Sequence, residues 1–84
     1  MPITKLYVGN LDATVTDELL RELFEKRGDV RSVRIFEEKG FAFVEMFTHG
    51  DAMRARDSLN GTQFMGRYLK VGEARNSGRD RRYR

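Results

Sequence analysis

Cysteine is missing from this chain, so neither a disulfide nor a zinc–thiolate site can staple it. A hydrophobic core must suffice in 84 residues, near the lower end of what folds without such help. No apolar run approaches the ~18 residues of a membrane-spanning helix, and the N-terminus lacks the apolar stretch of a signal peptide. Histidine is scarce as well. His49 is the one present, at an expected helix start with no sequence partner for acid–base or metal chemistry. These absences argue against an enzyme, and no cofactor is expected. They suit one small soluble domain of the cytoplasm, or of the nucleus in a eukaryote.

Charge is present but unevenly spread. Residues 1–74 hold four Lys and seven Arg against twelve carboxylates, a net −1, while residues 75–84 hold five Arg against Asp80, a net +4. Those last residues contain Tyr83 and no aliphatic side chain, which predicts a disordered Arg-rich tail over 76–84. The body, residues 1–75, reads as a single domain without internal repeats.

Two segments alternate with period two, as half-buried strands do. In Leu6-Tyr7-Val8-Gly9-Asn10-Leu11 the aliphatic Leu6 and Val8 share one face and Tyr7 takes the other. In Lys39-Gly40-Phe41-Ala42-Phe43-Val44-Glu45-Met46, Ala42, Val44 and Met46 oppose Phe41, Phe43 and Glu45. Glu45 marks the aromatic phase as the wet one, because burying that phase would bury an unpaired carboxylate. Exposed flat rings want a planar partner, and unpaired nucleobases are one.

Between and after these strands the pattern turns helical. Thr16 has the character of an N-cap, with Asp17 and Glu18 behind it and Leu20, Leu23 and Phe24 as the inward stripe. Val15 and Leu20 have the spacing of a hydrophobic staple, and Gly28 closes the helix. Val30–Phe36 reads as a strand with Val33 and Ile35 inward and Arg34 and Phe36 outward. A second helix, from 49 or 50 to 59, puts small Ala52 and Ala55 with Leu59 against the sheet. Asn60-Gly61 is a turn signal, Phe64 packs back on the core, and Gly66 opens a last strand through Val71. The order β-α-β-β-α-β is the split arrangement called ferredoxin-like, an α+β sandwich of a four-stranded antiparallel sheet with two helices on one face.

The segment from Lys39 to Met46 is similar to the RNP1 signature of the RNA recognition motif, and residues 6–11 resemble its companion RNP2. The resemblance extends over roughly residues 4–75, in the style of small single-domain members. Met46 departs from the aromatic residue usual at its place, but it falls on the buried phase. The resemblance implies that single-stranded RNA is the partner and that Tyr7, Phe41 and Phe43 stack its bases. Lys39 stands at the family's basic position beside a bridging phosphate. Arg34, Lys5, Lys70 and Arg75 are candidates for phosphate or base-edge contacts, and the tail for salt-sensitive attraction. Phe36 offers either further stacking or a cap on the sheet edge. Asn10 reads either a base edge or its own loop. Glu45 and Glu73 are expected to border the open face.

Two other readings stay beside this one. Single-stranded DNA offers the same bases. Some members of the family instead bind peptides on the helical side, where an Arg-x-Phe segment helps form a pocket; here that stretch is Thr62-Gln63-Phe64, without the arginine. An additional protein partner is therefore kept open, and a monomer is expected.

Overall fold

The computed structural model describes residues 3–74. The elements run β1 (Lys5–Gly9), α1 (Asp17–Glu25), β2 (Val30–Phe36), a 3₁₀ turn (Glu37–Lys39), β3 (Phe41–Met46), α2 (His49–Leu59), β4 (Gln63–Phe64), β5 (Arg67–Tyr68) and β6 (Lys70–Glu73). Antiparallel pairing orders the main sheet β2-β3-β1-β6. Both helices pack on one of its faces, as the ferredoxin-like reading expects.

Alternation decides which face is covered. Leu6 and Val8 of β1, Ala42, Val44 and Met46 of β3, and Val71 of β6 all turn inward and are buried. They meet Leu20 and Phe24 of α1 and Ala52, Ala55 and Leu59 of α2 in one cluster. Ala52 and Ala55 have no exposed surface, so the small side chains bring α2 close against the strands. Among the described residues no polar or charged side chain is buried. The core is therefore purely apolar, and its burial contributes about 25 cal/mol per Å² removed from water.

Each helix begins on a threonine. The Leu19 amide donates to Thr16 Oγ1 at 3.2 Å, and the Asp51 amide donates to Thr48 Oγ1 at 3.1 Å. The first cap matches the sequence expectation. The second was not anticipated. Val15 and Leu20, the expected staple, are both buried.

Three boundaries differ from the sequence reading. β1 stops at Gly9 rather than Leu11, because Asn10 adopts a positive φ of 63° that no strand accommodates. Lys39 does not open β3; it ends the 3₁₀ turn, and Gly40 (φ 73°) reverses the chain into the strand. The last strand is broken in two. Met65 and Gly66 both have positive φ, 52° and 87°, the signature of a tight two-residue hairpin turn, so Arg67–Tyr68 fold back on Gln63–Phe64. Only Lys70–Glu73 joins the main sheet. At the joint, Leu69 donates its amide to Thr62 O and accepts from the Gly61 amide, both at 2.8 Å.

β2 is an edge strand, and its pairing with β3 slips between Val30 and Ser32. This bulge leaves Val30 on the core while Ser32, Arg34 and Phe36 keep the open phase.

Candidate nucleic-acid interface

The register sorts the open face into rows. Arg34, Phe43, Tyr7 and Gly72 lie side by side across β2, β3, β1 and β6. Above them Phe36 faces Phe41, and below them Ser32 and Lys5 flank Glu45. Tyr7, Phe36, Phe41 and Phe43, the aromatic residues expected on the open face, thus share one surface.

Their rings form a continuous platform. Tyr7 lies 5.4 Å from Phe41 and 6.3 Å from Phe43, and Phe41 and Phe43 are 5.6 Å apart. Phe36 joins them at 5.0 Å from Phe41 and 5.7 Å from Phe43. It is a fourth member of the cluster. The rings meet tilted or edge-on, as their quadrupoles prefer, which leaves faces turned outward. Tyr7 remains 38% exposed although it lies within the sheet.

Gly9 explains where the Tyr7 ring lies. A Cβ on Gly9 would come within 2.6 Å of the Tyr7 hydroxyl oxygen and 2.8 Å of its Cε2. The ring therefore rests across the bare backbone of the residue two places on, which tilts it towards Phe41. Gly72, beside Tyr7 on β6, has open space where a Cβ would stand.

Cations surround the platform. Lys5 Nζ stands 5.6 Å from the Phe43 ring centroid, and the Arg34 guanidinium carbon 5.3 Å from that of Phe36. Lys70 is exposed on β6 opposite Gly9. Lys39 is exposed in the turn, whose position is fixed by two bonds: the Gly40 amide to Phe36 O at 3.1 Å and the Leu11 amide to Gly40 O at 2.9 Å. Arg75 and the tail 76–84 lie outside the described residues.

Asn10 is exposed, yet both ends of its side-chain amide are engaged by protein. Its Nδ2 donates to Tyr68 O at 2.7 Å, and its Oδ1 accepts from Arg67 Nε and Nη2 at 3.2 and 2.9 Å. This clamp ties the end of β1 to the small hairpin. Nearby, the Thr14 hydroxyl and amide both donate to Asp12 and hold its carboxyl below the usual 3.8, with the Arg67 charge acting in the same direction.

The two carboxylates expected at the border of this face part company. Glu45 is on it, accepting from Thr4 Oγ1 at 3.3 Å. Glu73 is not. Its register partner is the inward Leu6, and its carboxylate pairs with Arg56 of α2 at 2.7 Å.

The sequence pattern of the RNA recognition motif matches residues 6–70. The chain belongs to the RNA recognition motif family. It is 42% identical over 76 residues to polyadenylate-binding protein 7 of Arabidopsis thaliana, covering 84% of this chain but only 12% of that relative. Among solved structures it is similar to RNA binding protein PG1, with 42% identity, a TM-score of 0.80, and 84% and 93% of the two chains covered. It is also similar to the RNA15 RRM, with 30% identity, a TM-score of 0.83, and 93% and 97% covered.

Within this RNA recognition motif, sequence reasoning passed over Arg67 and Ser32. Arg67 gave no signal, since its role depends on a hairpin that was not foreseen. Ser32 was hidden by the bulge. His49, read as partnerless, sits with Nδ1 at 2.7 Å from Ile3 O, so that nitrogen carries the proton and braces the helix start. Among the described residues no three metal-ligating side chains cluster.

Proposed function

We propose that this chain binds single-stranded RNA across the open face of its sheet, stacking bases on Tyr7, Phe41 and Phe43, with Phe36 as a further surface. The observation that carries the reading is the four-ring platform with its flanking cations, in a chain of the RNA recognition motif family. Base–aromatic stacking contributes about 1–3 kcal/mol per base. Three such rings reach the order of the ~8 kcal/mol of a micromolar complex.

Lys39, Arg34, Lys5, Lys70 and Arg75 take phosphates or base edges in this proposal, and Asn10 braces the rim. Binding, not catalysis, is the activity, one copy of the chain suffices for it, and its setting is the cytoplasm or nucleus. Residues 76–84 add sequence-independent attraction, so truncation after Arg75 would flatten the salt dependence of affinity without reordering ligands.

A relative's name makes oligo(A) the first ligand to try. Titration of the full chain with short oligo(A) RNA, followed residue by residue by NMR, would shift Tyr7, Phe41 and Phe43. Folded Phe41→Ala/Phe43→Ala protein would lose most of the affinity; undiminished binding would overturn the proposal. Equal affinity for DNA of the same sequence would widen it to either sugar. Shifts confined to α1 and α2 would mark a peptide-binding module instead.

A further inference from the structure

Below the platform the open face dips into a groove of about 350 Å³ lined by Lys5, Ser32, Arg34, Phe36, Phe43 and Glu45. Glu45 lines it from the central strand β3, where it is half-buried. Neither neighbouring cation pairs with this carboxylate. Lys5 lies over the Phe43 ring and Arg34 over Phe36, and among the described residues no ion pair to Glu45 forms. Thr4 donates to Oε2, which leaves Oε1 without a donor among the described residues. An ionised carboxylate oxygen accepts more than one hydrogen bond, so Glu45 has acceptor capacity to offer a ligand.

We propose that this groove is a base-reading subsite that takes one nucleobase bearing an exocyclic amino group. This inference rests on the reading of the open face as an RNA-binding surface. A phosphate cannot fill the position, because two anions would face each other. A base stacked on Phe43 can turn its edge to Glu45, and an ionised carboxylate only accepts. Adenine and cytosine offer an amino group on that edge, and guanine offers an amino group next to a ring N–H. Uracil places a carbonyl oxygen on each side of its single N–H, so its edge is repelled. Lys5, Ser32 and Arg34 supply donors at the rim for the ring nitrogens or carbonyls of the accepted base.

The test compares oligo(A), oligo(C) and oligo(U) RNA of one length at one salt concentration, with full-length wild type and Glu45→Gln. The readout is the ratio of affinities, because loss of a negative charge strengthens binding to every strand. Wild type should prefer oligo(A) and oligo(C) to oligo(U) by about five- to tenfold, the lower end of a good base contact. Glu45→Gln, which presents both a donor and an acceptor, should bring that ratio close to one, chiefly by improving oligo(U). A second check replaces adenine by purine, which lacks only the amino group; wild type should lose affinity and Glu45→Gln should lose less. An unchanged ratio in Glu45→Gln with all strands still bound overturns the subsite alone. Failure of every strand to bind overturns the RNA reading beneath it, and the subsite with it.

Discussion

The two faces of this sheet are built from the same strands and obey different rules. Along β3, Ala42, Val44 and Met46 are shut away while Phe41, Phe43 and Glu45 between them are partly open. The covered face accumulates aliphatic side chains whose only requirement is volume. The open face carries rings whose value lies in the direction of their planes. One face therefore holds the fold and the other is the one proposed to hold a ligand, so adjacent residues are assigned to different tasks.

That separation can be broken by substitution, beginning with the largest effect. Phe24 of α1 is fully buried against the sheet, and Phe24→Ala should lower stability by about 3–5 kcal/mol in denaturant melts. The folded fraction should bind RNA as before; a matching loss of intrinsic affinity would show that the faces are coupled. Phe43 and Val44 then make the sharpest pair. Phe43→Ala should cost about 1–3 kcal/mol of binding with little change in melting. Val44→Ala should do the reverse, costing about 1.5–3 kcal/mol of stability.

Gly9→Ala is subtler, because it acts on the open face without removing a ring. The added methyl meets the far end of a mobile Tyr7 side chain rather than backbone, so the fold should survive while the ring swings off its seat. Affinity should fall by about 1 kcal/mol, a part of one ring's stacking, and Tyr7→Ala made on top should add little.

The smallest effect is acidic. The Asp12 carboxyl titrates below its usual 3.8 in the folded chain, so its contribution is present above that value and fades as pH drops through the lowered one. Melting temperatures recorded from about pH 5 down to about pH 2 should show a shallow loss that Asp12→Asn removes.

Period-two alternation made both faces legible from the sequence, since it depends only on backbone geometry. Thr16 and the stripes of both helices were legible for the same reason: the signals are local. What escaped was non-local or conformational. The hairpin rests on two-residue strands and on Met65 at positive φ, a conformation that methionine does not advertise. Asn10 is a surface amide whose partner Arg67 lies 57 positions away, beyond the reach of local pattern. Glu73 was misplaced against the alternation itself, which puts it on the phase of the inward Val71, as its pairing with Leu6 shows. The seat of the Tyr7 ring on Gly9 is a matter of side-chain packing that alternation does not encode.

The margins of the sheet carry a consequence of their own. On one side β2 presents Arg31, Ser32 and Arg34 and is distorted by its bulge; on the other, β6 is four residues long and begins with Lys70. Charge, shortness and a bulge are the means by which edge strands discourage the addition of another strand. An extended polymer arriving here finds poor terms for backbone pairing at either margin. What the sheet offers such a polymer is its flat surface, so under the proposed function recognition would run through the planes of the visitor's side groups and not through a shared hydrogen-bond ladder.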